Sequence, residues 1–297
     1  MESTEKKVTV KDVAREAGVS VATVSYIMNN RADQKISPAT KKKVLQIANL
    51  LNYKPNHAAK SLAQGRNNII GITYVLDPKT PARNLEITTF TNLLIPQLAR
   101  RNYDVLFLKV PDPHEDAFIN RNVDAILAID LTHEAFRALA EAYLVPIIGI
   151  DMIINDSLFY QVYSDYPTHI REAATLLGTE DYYLLTDGFS NMRFLSFLQD
   201  SLPKERIVFY SKWSSETQQM LQDKKVIVLG TYLGLIVHPF LPEENLVVIS
   251  SEQTAHLLPP SLRIIRNDID KKANLAINLL LNALDRKFEV SHDFKVK

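Results

Sequence analysis

The sequence contains no cysteine, and this absence excludes several kinds of chemistry at once. Without a thiol, the chain has no disulfide scaffold, no thiolate nucleophile, no cysteine-ligated zinc site and no cysteine-held iron–sulfur cluster. Long apolar runs are missing as well, since none reaches the roughly 18 residues of a membrane-spanning helix. We therefore expect a cytoplasmic protein that has no membrane segment. We also expect neither a metal nor a cofactor.

The motifs of several common enzyme classes are also missing. The chain has no GxSxG elbow, no HExxH pair, no P-loop and no GxGxxG turn. Each of these patterns places a nucleophile, a metal or a phosphate in a fixed backbone geometry. Their absence predicts that the protein is not an enzyme and has no catalytic residues.

The charges are unevenly distributed along a chain that is neutral as a whole. Residues 1–66 hold 12 Lys and Arg against 5 Asp and Glu, a net charge of +7, whereas the remainder holds 22 against 29, a net charge of −7. This pattern is typical of a module that binds a polyanion, joined to a module with another task. From charge alone, an ordinary solvated basic surface is an equal alternative.

The basic segment, residues 1–55, is predicted to form three short helices. Thr9 begins the first helix in a capping box, and Gly18 ends it because glycine adopts a left-handed backbone at little cost. Ser20 caps the second helix, and Ser37, followed by a proline, caps the third. A helix, a short glycine turn and a second helix are typical of a helix-turn-helix domain. Residues 56–66 add about two further helical turns, a candidate hinge that is too short to be stable alone.

From residue 67 to residue 297, apolar runs of strand length alternate with segments of helical periodicity. This alternation predicts an α/β fold with two lobes, each a doubly wound parallel sheet. We expect the chain to change lobe near residues 155–158. A helix over Ile269–Leu284 should return to the first lobe, with late crossings near residues 267 and 286. An earlier helix is predicted over Ile87–Arg101.

Three segments of the head carry a resemblance to a known family: Val8–Ser25, Ser37–Val44 and Leu51–Asn56. Together they resemble the DNA-binding head of the LacI/GalR family of bacterial transcriptional regulators. The body resembles the same family more loosely, for example in Val145–Asp151 and Leu262–Asp268. The resemblance implies a helix-turn-helix head, a hinge helix and a periplasmic-binding-protein-like effector domain.

The resemblance assigns DNA contacts to individual residues of the head. The second helix enters the major groove, where Val21, Ala22 and Tyr26 face the base edges. Valine and alanine carry no hydrogen-bond donor and can contact only thymine methyl groups, so the operator sequence does not follow from the family. Phosphate contacts are assigned to Thr9, Ser20, Thr23, Ser25, Asn29, Ser37, Thr40 and Tyr53.

The hinge is implied to bind the minor groove together with the hinge of a second chain. Leu62 would insert between bases and bend the duplex. Asn56 and Ala59 would face the groove, and Lys60 would lie near the backbone. Because the hinge needs a twin, the resemblance implies a homodimer on a pseudo-palindromic operator.

The body is implied to bind an effector between its lobes. The resemblance assigns this site to Asp77, Pro78, Asp151, Phe189, Arg193 and Trp213, with Ser251 where sugar-binding relatives usually have an aspartate. An Asn-Asp pair of the relatives is also missing around residues 230–234. These departures leave open a modified sugar, another metabolite or a protein co-regulator as the effector.

The sequence as a whole predicts a DNA-binding transcriptional regulator of the cytoplasm and nucleoid. It would repress a carbohydrate-utilisation operon, and a sugar or sugar derivative would control it. One alternative is a regulator that responds to a phosphocarrier protein or to a non-sugar metabolite. A sugar-binding transport protein is disfavoured by the basic head and by the polar N-terminus.

Overall fold

The computed structural model describes residues 8–28, 35–53, 66–111, 122–199, 202–287 and 291–297. The chain divides into two compact units, Met1–Asn67 and Asn68–Lys297, which we call the head and the body. Within the described ranges, no helix is both long enough and apolar enough to cross a membrane.

The head consists of α1 (Val10–Ala17), α2 (Val21–Met28) and α3 (Pro38–Leu50). The predicted capping box is present at α1, where the Asp12 carboxylate accepts a hydrogen bond from the Thr9 amide at 2.9 Å. Gly18 ends α1 with a φ of 65°, in the left-handed region. The three helices share one apolar core, formed by Val13, Ala14, Ala17, Val24, Ile27, Val44 and Ala48.

The body contains eleven strands and eight α-helices within its described residues. The strands are β1 (Ile69–Thr73), β2 (Asp104–Phe107), β3 (Ala125–Ile129), β4 (Ile147–Ile150), β5 (Tyr160–Ser164), β6 (Tyr183–Thr186), β7 (Ile207–Phe209), β8 (Val226–Leu229), β9 (Leu246–Ser251), β10 (Arg263–Asn267) and β11 (Asp293–Val296). The helices are α4 (Pro81–Ala99), α5 (His133–Ala142), α6 (Tyr166–Leu177), α7 (Met192–Gln199), α8 (Ser215–Leu221), α9 (Thr231–Val237), α10 (Glu252–Ala255) and α11 (Ile269–Leu284).

The strands form two parallel sheets, which confirms the predicted fold class. The first sheet has the order β11-β5-β4-β3-β1-β2, and the second has the order β10-β9-β8-β6-β7. Strand β3 shows why the apolar runs are continuous. Leu127 and Ile129 pack on one face of the sheet, in the core that includes α4 and α11, whereas Ile126 and Ala128 pack on the other face with α5. Both faces are covered, as expected for parallel sheets.

The chain changes lobe later than the sequence predicts. The change was expected near residues 155–158, but β5 pairs with β4 and with β11 in the first sheet, so the chain leaves this lobe only after Ser164. Residues 155–158, three polar residues followed by Leu158, form an exposed connection between two neighbouring strands of one sheet, and such a polar stretch resembles a linker in the sequence.

The chain returns to the first lobe after Asn267, near the predicted position, because α11 packs on β3, β4 and β5. The further crossing expected near residue 286 is absent between α11 and the described strand β11. Both elements belong to the first lobe, since β11 pairs with β5 of the first sheet.

Candidate functional site

The solvent-facing side of α2 carries the residues assigned to base contacts. Val21 is 42% exposed and Ala22 is exposed, whereas Val24 and Ile27 of the same helix are buried in the head core. Tyr26 is half-buried. Val24 and Ile27 therefore form the buried side of α2, which leaves Val21 and Ala22 able to face a partner.

The hydroxyl side chains assigned to phosphates also cap helices. Ser20 Oγ accepts a hydrogen bond from the amide of Thr23 at 3.0 Å, and Ser37 Oγ accepts one from the amide of Thr40 at 3.1 Å. Each serine fixes the N-terminus of a helix, which is where an anion is favoured by the helix dipole and the free amides. The exposed run Lys41–Lys43 lies in the first half of α3 and adds positive charge to this helix.

The other assigned DNA contacts are divided between described and undescribed segments. Ser25 is half-buried on α2, and Tyr53 packs against the head core through its ring. Five of the assigned residues lie outside the described residues: Asn29, Asn56, Ala59, Lys60 and Leu62.

Carboxylates follow three strands of the body at the edge where the two lobes meet. Asp130 follows β3 and Asp151 follows β4 in the first lobe, and Asp187 follows β6 in the second. All three are buried, with at most 5% of each residue exposed. The carboxyl ends of parallel strands are the usual place for a ligand site in such sheets.

The guanidinium of Arg83, on the first turn of α4, fills the space between these carboxylates. Its Nε donates to Asp130 Oδ2 at 2.8 Å, and its Nη2 donates to Asp151 Oδ2 at 3.1 Å. Its Nη1 donates to Glu86 Oε2 at 3.2 Å, and its Cζ lies 4.6 Å from the centre of the Phe189 ring. Burial alone would lower the pKa of Arg83, but the neighbouring carboxylates raise it well above its ordinary value. Arg83 is therefore charged at any physiological pH.

A second buried cation, Lys272 of α11, pairs with Asp151. Its Nζ lies 2.8 Å and 2.9 Å from the two carboxylate oxygens and donates to Ser164 Oγ at 3.0 Å. Burial alone would raise the pKa of Asp151, yet Lys272 and Arg83 together hold it below its ordinary value. Asp151 is therefore engaged by two internal cations.

Two of the carboxylates connect one lobe to the other. Asp130 Oδ1 accepts from the amides of Ser190 and Asn191, which lie beyond β6 in the second lobe, at 3.0 Å and 3.1 Å. In the opposite direction, Asp187 Oδ2 accepts from the amides of Ala82 and Arg83 at 2.8 Å and 3.2 Å. The lobes are thus joined by charge-assisted hydrogen bonds in both directions.

The cavity that remains between the lobes is small. Its volume is about 20 Å³, and its lining includes Arg83, Asp151, Tyr166, Ser251 and Lys272. A volume of this size holds about one water molecule. Among the described residues, this cavity therefore leaves no room for a small-molecule effector beside Arg83 in this arrangement.

The structure brings together only some of the residues assigned to the effector. Asp151 and Ser251 line the cavity between the lobes, and Phe189 lies against Arg83. Ser251 donates or accepts a hydrogen bond with Thr254 at 2.8 Å.

The remaining assigned residues lie outside this cavity. Asp77 and Pro78 are exposed in the turn before α4. Arg193 is exposed and donates to the backbone oxygen of Ile154 at 2.8 Å, on a surface groove of about 380 Å³ that also includes Phe159. Trp213 packs against the core of the second lobe.

Sequence reasoning missed the residues that fill the cleft. The resemblance assigned Asp151 but not Asp130 or Asp187, although each of these directly follows an apolar strand at the edge where ligand sites of parallel sheets lie. Lys272 lies at helical spacing between Ile269 and Ala276, a position of the buried stripe where a lysine is unusual. For Arg83 no pattern in the sequence gave a signal.

Comparisons with known proteins show what this arrangement is similar to. Residues 9–56 match the family model described as bacterial regulatory proteins, lacI family. The fructose operon regulatory protein of Vibrio cholerae is 29% identical, over 95% of both chains. Catabolite control protein A of Staphylococcus epidermidis is 28% identical, over 62% of this chain, and the match spans just over half of that relative, 56%.

A solved structure is similar in fold over nearly all of this chain. It is the crystal structure of the lac repressor dimer bound to operator and the anti-inducer ONPF. It superposes with a TM-score of 0.66 at 20% identity, covering 98% of this chain and 96% of that one. The relatives are transcriptional regulators rather than enzymes. The head of this chain therefore matches the lacI family of bacterial regulatory proteins, and the two-lobed body has the fold found in the lac repressor.

Proposed function

We propose that the protein is a sequence-specific DNA-binding transcriptional regulator that represses genes of carbohydrate use. The observation that carries this proposal is the head itself: Val21 and Ala22 of α2 are exposed, serines cap the N-termini of α2 and α3, and the segment has a net charge of +7. The match of residues 9–56 to the lacI family model supports it. Phosphate contacts would give affinity, and the exposed side of α2 would read the base edges.

A homodimer on a near-palindromic operator fits this reading. One short recognition helix reads only a few base pairs, and a two-fold pair of heads doubles the contact on a symmetric site. In the resemblance, paired hinge segments with Leu62 at their centre bind the minor groove between the two heads. The lac repressor dimer, bound to its operator, is a structural neighbour of this chain.

The body would control DNA binding through an effector, a sugar or a sugar derivative, between its lobes. Two relatives are named for a fructose operon and for catabolite control, and these names support an effector that comes from sugar metabolism. An effector acts by binding one arrangement of the lobes more tightly than another, and this difference is passed to the hinge as a coupling free energy.

A second candidate is a non-sugar metabolite or a phosphocarrier protein. The observation that favours it is the cleft, in which Arg83 and its carboxylates leave a cavity of about 20 Å³. A pull-down with phosphorylated and unphosphorylated carrier protein, beside a thermal-shift screen of metabolites, separates these effectors.

The test of DNA binding is selection of duplex fragments from the genome of the source organism. We expect retention to fall steeply with salt, because phosphate contacts release counterions. Tyr26→Ala should change the preferred DNA sequence or weaken the selectivity for it. Tyr103→Phe, a substitution in the body, should do neither. If no fragment is retained selectively, with or without cell extract, the proposal is overturned.

A further inference from the structure

The contacts of Arg83 have the form of a cation receptor. Three different nitrogen atoms of its guanidinium donate to three different carboxylates, those of Asp130, Glu86 and Asp151, at 2.8–3.2 Å. The face of the Phe189 ring closes the remaining side, 4.6 Å from Cζ. Carboxylates in the plane of a guanidinium and an aromatic ring over its face are the partners that such a cation binds best.

Carboxylates outnumber cations at this site among the described residues. The site holds two cations, Arg83 and Lys272, and four carboxylates, those of Glu86, Asp130, Asp151 and Asp187. Asp187 is 95% buried, and its Oδ1 has no hydrogen-bond partner in the described part of the chain. It lines a second small cavity, of about 10 Å³, together with Arg83, Glu86 and Phe189. Burial raises the pKa of Glu86, Asp130 and Asp187, as expected where carboxylates exceed their counter-charges.

The space between the lobes is set by the guanidinium. Ligand sites for small molecules have volumes of roughly 300–1,000 Å³. The two cavities beside Arg83 have about 20 Å³ and 10 Å³. In this arrangement of the lobes, a molecule that enters the site beside Arg83 takes the place of the guanidinium, and the partners that it then meets are acidic.

We propose that the cleft between the lobes is a receptor for a guanidinium or primary ammonium group, and that the side chain of Arg83 is its tethered occupant. The guanidinium holds the lobes together through Asp130 and Phe189, and a diffusible effector of the same charge replaces it. The inference refines the effector site proposed above and rests on that proposal for its regulatory meaning, but it is tested without DNA.

The test removes the tethered group and supplies it from solution. Arg83→Ala in the full chain deletes the part of the side chain that corresponds to ethylguanidine. We expect the variant to melt below the unchanged protein and to regain part of the loss, saturably, with millimolar ethylguanidine. Ethylurea has nearly the same shape without the charge, and we expect it to bind at least about tenfold more weakly, because hydrogen bonds to charged groups are the stronger ones.

The matched control is Arg137→Ala. Arg137 is an exposed arginine, 67% accessible, that pairs with Glu141 at 3.5 Å on the outer face of α5. Ethylguanidine should not raise the melting temperature of this variant or of the unchanged protein. No rescue of Arg83→Ala, equal rescue by ethylurea, or the same rescue of Arg137→Ala would each overturn the proposal.

A second measurement uses the unchanged protein, in case Arg83→Ala does not fold. In nitrogen-edited spectra of the arginine side chains, we expect the Nε proton of Arg83 to exchange with water at least about 100-fold more slowly than that of Arg137, because it is buried and donates to Asp130. Equal exchange rates for Arg83 and Arg137 would show that the Arg83 guanidinium does not occupy the receptor, and they would overturn the proposal. Selective DNA retention is measured separately, so a failure of the DNA-binding function leaves this result standing.

Discussion

Replacement of Lys272 by methionine should destabilise the body by about 3 kcal/mol, near the lower limit for breaking a buried ion pair. All three protons of Nζ are used, by two oxygens of Asp151 and one of Ser164, and the side chains of Lys272 and Asp151 are 3% and 4% exposed. Methionine fills most of the same volume, so the loss is electrostatic rather than a cavity. The lower limit applies because Arg83 still neutralises Asp151.

The assay is urea unfolding followed by fluorescence. The chain has one tryptophan, Trp213, which packs in the second lobe, so the signal reports the body alone. With a slope of about 2–3 kcal/mol per molar urea, a loss of about 3 kcal/mol lowers the midpoint by about 1–1.5 M. Lys287→Met is the matched control. Lys287 is 66% exposed and 3.6 Å from Asp285, so the change should stay below about 0.5 kcal/mol.

The double variant Asp151→Asn, Lys272→Met separates the pair from its surroundings. We expect its loss of stability to be smaller than the sum of the two single losses by at least about 1 kcal/mol, because Asp151→Asn removes the carboxylate that loses one of its two cations in Lys272→Met. A Lys272→Met loss no larger than that of Lys287→Met, or strict additivity in the double variant, would refute the argument.

Three further predictions concern other parts of the molecule. Gly18→Ala should cost the head about 1–2 kcal/mol, because a φ of 65° strains any residue with a Cβ; an unchanged helix-melting curve would contradict this. Burial lowers the pKa of His169, and Glu172, 3.7 Å from Nδ1, offsets this shift only in part. The body should therefore lose stability as the pH falls below about 6.5, the ordinary histidine value, and His169→Leu should remove this loss. The prediction is wrong if the melting temperature changes equally between pH 7.5 and pH 5.5 in both proteins. Leu62→Ala should weaken operator binding by an amount on the order of a few kcal/mol while leaving the circular dichroism spectrum unchanged; equal affinity would refute the hinge proposal.

The sequence predicted the head well because its signals are local. A capping side chain, a glycine in the left-handed region and a proline at the first helical position each act within three or four residues. The structure shows all of them, at Thr9, Gly18 and Ser37–Pro38. The strand runs of the body were also recognisable, because a strand buried on both faces is apolar at every position.

The cleft was less predictable because its contacts span long distances in the sequence. Arg83 is 47 residues from Asp130 and 68 from Asp151, and Lys272 is 121 from Asp151. The predicted helix over residues 87–101 begins at Pro81 instead, because a proline is favoured at the first helical position, and this earlier start places Arg83 on the first turn of α4. The way α4 packs on the first sheet decides which residue of its first turn faces the carboxylates. No local sequence pattern encodes this packing.

The filled cleft also sets a quantitative condition on the effector. A ligand that needs the guanidinium of Arg83 displaced binds with an apparent Kd equal to its intrinsic Kd divided by the displaced fraction, so a fraction of about 1% weakens it about 100-fold. A neutral sugar would leave Asp130 facing the ligand without its cation, and removing one partner of a buried pair is the costly case. A ligand with an ammonium or guanidinium group keeps the site neutralised and avoids this cost. Among sugar-derived effectors, an amino sugar therefore meets the condition that a free neutral sugar does not, and competition between the two in a thermal-shift titration of the unchanged protein should favour the amino sugar.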